Sequence, residues 1–362
     1  MTSPNSAAGY DFPLASVVIV NYNGGARLLR CLESLNEVDY PALEVIVVDN
    51  GDDDGMIRNV VQRFPWVRLS RNGHNAGFAS AANTGAKIAR GKYVAFLNPD
   101  AHVNPDWLRR LVRCISDEKV GAVSSKLLMD SDSSRLNAAG GACDIFGLGW
   151  NRGIEEHDFH QYDNSRDCFY AVGCGMMVKR KLFLSLGGFD EDYFLYYDDL
   201  DFSWRLRLAG YLVTYEPNAL VYHGWMGSTR NRKPMVLFLL TKNRIRTIIK
   251  NYSLRNVALS LLFLSVFHLP LMVWTLKRKK VMESIPLSSA WLWNLRKLRS
   301  SWQARQKVQA LRLVPDAAIK KYMIAAPCGA WLCLGRIKHP FLRNGATAVS
   351  KSDSKKPVEV IA

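Results

Sequence analysis

Three carboxylates fall within four residues at Asp198, Asp199 and Asp201, directly after the aromatic run Tyr193-Phe194-Leu195-Tyr196-Tyr197. Helix N-termini favour aspartate, and capping accounts for one or two of them but less well for three. A second carboxylate stands alone at Asp100. The apolar run Tyr93-Val94-Ala95-Phe96-Leu97 reads as a buried strand and stops at Asn98-Pro99-Asp100. Pro99 has no backbone N–H and pushes Asn98 out of the helical region, so the strand ends there. Asp100 is then presented at the carboxyl edge of a sheet, where open α/β folds hold their ligands. Asn-Pro-Asp is also ordinary turn chemistry. Asn21 and Asp49 likewise follow apolar runs, and His223 ends another. A lone histidine is more often a core residue, yet this one shares the strand-end placement of the carboxylates.

The elements that must position these groups follow in a regular order. Ser16–Val20 and Leu43–Val48 are short β-branched runs of the kind buried on both faces of a parallel sheet. Helical spacing appears over residues 26–36 and 56–64, and Ala81–Ala89 predicts a small-residue helix packed closely on the sheet. Trp66–Leu69 predicts a short third strand. Strand, helix, strand, helix, strand, helix, strand is the order of a doubly wound α/β domain. No G-x-G-x-x-G follows the first strand, and Gly147-Leu-Gly149 and Gly173-Cys-Gly175 both lack the third glycine. A nicotinamide enzyme is thereby disfavoured. Residues 130–168, rich in Gly, Asn, Asp and Ser, predict a functional loop region rather than core. Cys168–Val178, Leu212–Tyr215 and Ala219–Tyr222 read as strands, and Phe202–Leu208 as a helix closed by Gly210.

Charge divides the 362 residues in two. Residues 1–229 hold 22 Lys+Arg against 28 Asp+Glu, a net of −6, and residues 230–362 hold 26 against 4, a net of +22. Seven cysteines at irregular spacing fit no disulfide framework and no zinc site, which suits a reducing cytosol. Residues 258–276 carry no formal charge, and as a helix 19 residues span roughly 28 Å, close to a bilayer core. A single crossing would export the 18 Lys+Arg of residues 277–362, against the positive-inside rule. Tyr322–Gly335, with Pro327, is too short to return. The expectation is a helix lying in the interface or a kinked re-entrant one, with Lys277-Arg278-Lys279-Lys280, Arg255 and Lys250 on anionic headgroups. A nucleic-acid tail would interleave aromatic and basic residues, and this one does not.

At this point the chain resembles family-two glycosyltransferases of the GT-A fold, in the bacterial rhamnosyltransferase-like branch. The matching stretches are Val17–Asn23, Val47-Val48-Asp49-Asn50, Asn75–Ala79 with Asn83-Thr84-Gly85, and Phe96–Ala101. Gly188-Phe189-Asp190-Glu191, Tyr197–Asp201 with Arg205, and His223 follow in the family's order. The resemblance implies a GT-A nucleotide-binding, Rossmann-like domain over 14–228, after a disordered N-terminus at 1–13. A helical membrane-associated segment over 229–280 and a basic helical tail with a disordered end over 281–362 complete the expected organisation. By the same resemblance Asn21, Asp49, Asn75 and Asn83 bind the nucleotide. Asp100 and His223 hold a divalent cation, Mn²⁺ or Mg²⁺, with Asn98 beside the diphosphate where many relatives carry aspartate. Asp199 is the catalytic base, and Asp190, Glu191, Asp198 and Asp201 lie near the acceptor.

The implied activity is inverting transfer of a sugar from a nucleotide-diphosphate donor, dTDP-rhamnose first and a UDP-sugar second, to a lipid-linked saccharide. The implied setting is the cytoplasmic face of the inner membrane, peripheral or monotopic, on an anionic surface and without nucleic acid. Two rivals stand beside it. A sugar-phosphate nucleotidyltransferase needs a cationic Gly-rich loop after the first strand, and Asn21–Gly25 has no cation. A non-catalytic membrane scaffold would tolerate loss of Asp100 and Asp199, and both are present. A boundary near Gly227 further implies that residues 1–227 alone form a soluble, nucleotide-binding unit.

Overall fold

The computed structural model describes residues 12–51, 56–224, 233–277 and 281–325. The first half alternates as expected: β1 (Ala15–Asn21), α1 (Ala26–Asn36), β2 (Leu43–Asp49), α2 (Met56–Arg63), β3 (Val67–Arg71), α3 (Phe78–Ile88), β4 (Tyr93–Leu97), β5 (Ala101–Val103) and α4 (Trp107–Ile115). Then come β6 (Val120–Met129), β7 (Asp132–Ala139), β8 (Gly141–Cys143), β9 (Gly149–Asn151), β10 (Met176–Lys179), α5 (Arg180–Ser185), α6 (Asp198–Leu208) and β11 (Leu212–His223). Helices alone follow among the described residues: α7 (Lys233–Asn251), α8 (Leu254–Lys277), α9 (Val281–Arg296), α10 (Leu298–Ala310) and α11 (Asp316–Lys320).

Nine strands form one mixed sheet in the order β3-β2-β1-β4-β10-β6-β11-β5, with β7 beside β6. β1 is buried along its whole length because parallel neighbours flank it and helices cover both faces. Helix α3 lies close on the sheet: a Cβ on Gly85 would come within 2.3 Å of Val18 Cγ1. That contact explains the Ala- and Gly-rich sequence of this helix.

Several expectations need correction. Residues 130–168 are not a loop region: β7 pairs with β6, and Leu136, Ala138, Ala139 and Cys143 are core. Alternation is weak there because β7 runs from an exposed end into a fully buried one. Of Cys168–Val178 only Met176–Lys179 is strand, which leaves Gly173 and Cys174 in irregular backbone. Leu212–His223 is one strand rather than two, with a register shift between Glu216 and Leu220. Helix α6 starts at Asp198, so all three carboxylates sit in its first turn.

The largest correction concerns residues beyond 229. Helix α7 buries Lys242, Asn243, Arg244, Arg246, Lys250 and Asn251 against the sheet domain. Arg246 Nε is 2.9 Å and Lys250 Nζ 2.6 Å from Asp190 Oδ2, and Lys250 Nζ is 3.0 Å from Asp201 Oδ2. Arg305 of α10 donates to the carbonyls of Ile249 (2.6 Å) and Tyr252 (2.5 Å) at the end of α7. The chain then returns to the domain, where Ile324 N donates to Cys143 O at 2.9 Å. A cut at Gly227 would therefore expose this interface, so residues 1–227 are not a self-contained unit. Helices α8 and α9 pack as a hairpin in which Trp291 Nε1 donates to His268 Nδ1 at 3.2 Å. Of the N-terminus expected to be disordered, residues 1–11 lie outside the described residues, whereas Phe12 and Pro13 pack on Tyr40; residues 278–280, the end of the basic tail and all of Tyr322–Gly335 beyond Ala325 also lie outside them.

Candidate active site

The carboxyl ends of β1, β2 and β4 open onto a cleft of about 370 Å³. Its lining includes Tyr22, Arg27, Asn50, Asn75, Asn98, Asp100 and His223, together with Trp150, Tyr170, Gly173, Asp198 and Asp199. Each wall is positioned by strand geometry. Pro99 ends β4, and β11 pairs antiparallel with β5 so that His223 stands opposite Ala101. That register sets His223 Nε2 3.3 Å from Asp100 Oδ1. Asn98 Nδ2 lies 3.2 Å from the same ring nitrogen.

Burial alone would raise the Asp100 carboxyl, but the hydrogen bond and charge of His223 outweigh it and hold it below the usual range. His223 is pushed well above its ordinary value: burial works against this, and the neighbouring Cys174 and Asp100 outweigh it. One carboxylate and one imidazole would make a two-ligand platform suited to a hard cation whose other ligands are phosphate oxygens, the ion displacing the proton that His223 holds against Asp100. Among the described residues the trio close enough to share an ion is Asp158, His160 and Asp163. Lys126 Nζ already stands 2.9 Å from Asp158 and 2.6 Å from Asp163, so a resident ammonium fills that place.

The asparagines at the other strand ends form a connected wall. Asn21 Nδ2 donates to Asp49 Oδ1 at 3.2 Å, and Asn21 Oδ1 accepts from Gly24 N at 3.1 Å. Asn50 Nδ2 donates to Asn75 Oδ1 at 3.1 Å, and Asn50 Oδ1 accepts from Asn72 Nδ2 and Ala76 N. Asn50 and Asn75 face the cleft, while Asn21 and Asp49 stand behind it as supports.

Asp199 is held at the N-terminus of α6. Its Oδ2 accepts from Gly173 N and its Oδ1 from Leu200 N, both at 2.8 Å. Burial raises its carboxyl to about 6, with these amides pulling the other way. Asp198 is buried beside it and is pushed well above the carboxylate range, first by burial and then by the charge of Asp199. Two adjacent carboxyls with separated proton affinities form an acid–base pair in which Asp199 ionises first.

Six expected site residues do not line the cleft: Asn21 and Asp49 stand behind it, and Asn83, Asp190, Glu191 and Asp201 are engaged elsewhere. Asn83 is turned to Phe189, donating to its carbonyl at 2.9 Å and accepting from its N–H at 2.9 Å, so it fastens a loop rather than a nucleotide. Asp190 and Asp201 are used by Arg246, Lys250 and Arg205, and Glu191 by Asn83. Resident donors claim both oxygens of Asp190 and Asp201 and one of Glu191, and none of the three lines the cleft. Sequence reading misses Arg27, Asn137, Trp150, Tyr170 and Cys174. The Gly173-Cys-Gly175 stretch does carry a signal. Gly175 has φ +86°, and a Cβ there would press on Ser125 and Val221, so the backbone turns sharply into the cleft.

The family model for glycosyl transferase family 2 matches residues 16–187. The chain is 32% identical over 235 residues to N-acetylglucosaminyl-diphospho-decaprenol L-rhamnosyltransferase of Mycobacterium tuberculosis, covering 59% of this chain and 76% of that one. The chain belongs to glycosyltransferase family 2. Its fold is shared with solved structures at low identity. A mannosyltransferase from Pyrobaculum calidifontis, in complex with GDP-Man and Mn²⁺, is 19% identical with a TM-score of 0.51, over 92% of this chain and 83% of that one. GalNAc-T7, with UDP, GalNAc and Mn²⁺, is 19% identical with a TM-score of 0.52, over 67% of this chain and 48% of that one. The GT-A architecture expected from sequence is thus the architecture found. Family membership makes the chain a glycosyltransferase rather than a sugar-phosphate nucleotidyltransferase.

Proposed function

We propose that this glycosyltransferase moves a sugar, L-rhamnose first among candidates, from a nucleotide-diphosphate donor to a lipid-linked saccharide during cell-envelope polysaccharide synthesis. The observation that carries the proposal is one cleft lined both by the Asp100–His223 pair and by Asp199, whose carboxyl burial raises to about 6. The donor's base rests against Asn50 and Asn75, and Arg27 supplies positive charge near the diphosphate. Asp100 and His223 hold a divalent cation, Mn²⁺ or Mg²⁺, which supplies neutralisation of the leaving diphosphate when bound. Asp199 accepts the proton of the acceptor hydroxyl as that oxygen bonds to the anomeric carbon. The bond from that carbon to the diphosphate oxygen breaks on the opposite face, so configuration inverts and no protein nucleophile takes part. Trp150 and Tyr170 offer apolar faces to the acceptor sugar. The preference for rhamnose and for a lipid-linked acceptor rests on the mycobacterial relative named above.

The site of action proposed is an anionic membrane surface on its cytoplasmic side. Helix α8 leaves Leu259, Leu262, Val266, Phe267, Leu269, Leu271, Val273 and Trp274 exposed, and its most apolar 18-residue stretch is 11% buried. A soluble core helix would cover such residues. Pairing with α9 brings the chain back, so a hairpin dipping into one leaflet keeps the catalytic domain and the basic helix α10 on the same side.

A screen of purified full-length protein against dTDP-rhamnose, UDP-hexoses and GDP-mannose, with Mn²⁺, Mg²⁺ or chelator, tests this reading. Nucleotide release from dTDP-rhamnose that requires a divalent ion and rises with a lipid-linked saccharide is expected. Turnover of another donor alone, or full activity in chelator, would overturn the sugar or the metal assignment respectively.

A further inference from the structure

The aromatic run before the catalytic pair has an unusual backbone. Phe194, Tyr196 and Tyr197 have φ of 68°, 67° and 68°, a region that residues other than glycine rarely occupy. Three such residues in four persist only where their surroundings hold them, and such strain gathers at functional sites. The segment ends at Asp198 and Asp199, so its conformation sets where the first turn of α6 points.

One side chain holds it. Asn243, fully buried on α7, donates through Nδ2 to Tyr193 O at 3.2 Å, Leu195 O at 2.8 Å and Tyr196 O at 2.8 Å. Its Oδ1 has no hydrogen-bond partner among the described residues, so the amide serves as a donor alone. Three carbonyls converging on one atom require a donor there, which fixes the amide's orientation. Lys242 adds a bond from Nζ to Asp192 O at 2.7 Å. From the opposite side Phe78 N donates to Phe194 O at 2.7 Å. The strained segment is thus gripped between α7 and the start of α3.

We propose that Asn243 is a positioning residue for sugar transfer: its amide clamps the left-handed segment that aims Asp199 into the cleft. The inference rests on the reading of Asp199 as base. It extends the catalytic machinery beyond the residues matched by the family model, into the helix that sequence assigns to a membrane-associated tail. Asn243 touches no reacting atom and acts through 193–197.

The test uses full-length protein and two kinds of readout, turnover and nucleoside diphosphate affinity by calorimetry. Asn243→Leu keeps the branched shape and removes every side-chain donor, and Asn243→Ser keeps one. Asn294→Leu is the control: Asn294 is a buried asparagine of α9 that donates to Lys242 O and Ala290 O and does not touch 193–197. Misplacement of a catalytic group by about 1 Å can lower turnover on the order of 10²-fold. Asn243→Leu is expected to lose kcat on that scale with nucleotide affinity unchanged and to lose more than Asn243→Ser, while Asn294→Leu keeps kcat despite lower stability. Should Asn243→Leu fail to fold, Asn243→Ser alone carries the comparison. Equal losses in the Asn243 and Asn294 variants, or a parallel fall of kcat and nucleotide affinity, would overturn the proposal by making the clamp merely structural. Asp199→Asn assayed alongside separates the two ideas: full activity there sinks the base assignment, whatever Asn243 does.

Discussion

A base must be deprotonated to work, and burial lifts the carboxyl of Asp199 to about 6. The kcat/KM of the enzyme should therefore fall as pH drops through about 6, with the midpoint belonging to the Asp198–Asp199 pair as a whole. A profile from pH 5 to 8 checks it, and a profile flat to pH 5 contradicts it. Asp199 is legible in the sequence because it is spelled into a motif whose order along the chain is specific. Its neighbours are not, because aspartate does several jobs. Asp198, Asp199 and Asp201 differ only in the direction each side chain takes from the first turn of α6. Asp199 meets the Gly173 amide at the cleft, and Asp201 meets Lys250 and Arg205 in the interior. Spacing alone carries no record of which cation lies opposite, since Lys250 comes from 49 residues further along the chain.

At the scale of elements, the parallel strands are legible because β1, β2 and β4 are covered on both faces and so carry near-continuous apolar runs, Val17–Val20, Val45–Val48 and Tyr93–Leu97. β7 and α7 mislead for opposite reasons. β7 changes from exposed to buried within one strand, which erases alternation. α7 is buried on several sides, and its polar residues there bond to carbonyls and carboxylates of the sheet domain, so no apolar stripe marks its inner face. Part of the basic excess beyond residue 229 is thereby internal: Arg246 and Lys250 neutralise Asp190 and Asp201 rather than facing lipid. Burial alone would raise Asp190, and Lys250 and Arg246 hold it far below the usual range. Asp201 is lowered in the same way by Lys250 and Arg205 against its burial. Both folded-state values lie beneath that of an unfolded aspartate, about 3.9. Their contribution to stability is present above that pH and is lost as pH falls below it. Removing one cation leaves the carboxylates buried and short of a partner, so Lys250→Met should destabilise the protein by about 3–5 kcal/mol. Urea denaturation at neutral pH measures this, and a loss under about 1 kcal/mol, the scale of an exposed pair, would show that the cation is dispensable.

For the whole molecule, charge and hydropathy together point to where the protein acts, and the structure adds topology. A single crossing by α8 would conflict with the positive-inside rule, and in the proposed hairpin the return along α9 would relieve that conflict. Helix α9 is hard to foresee as a partner because Glu283 and Pro286 interrupt its apolar run, although Ile285, Leu292 and Leu295 stand exposed beside the α8 surface. For the proposed peripheral binding, the hairpin would supply one signal and the exposed Arg296, Lys297, Arg299 and Lys307 the other. Full-length protein should sediment with vesicles containing phosphatidylglycerol and be partly released by high salt. Leu262→Glu with Val266→Glu and Phe267→Ser, all on exposed positions, should leave the protein folded and in the supernatant. Sedimentation of this variant equal to wild type would place the membrane contact elsewhere.

The central claim is that Asp199 takes the acceptor proton in a cleft that binds the donor without it. Asp199→Asn keeps the shape and removes the proton acceptor, so the most direct measurement is its kcat for transfer to a lipid-linked saccharide beside its calorimetric affinity for the nucleoside diphosphate. A positioned base contributes about 10²–10⁴-fold. A loss of kcat in that range with nucleotide affinity unchanged is the expected result, and a variant that keeps more than about a tenth of wild-type kcat would contradict the assignment.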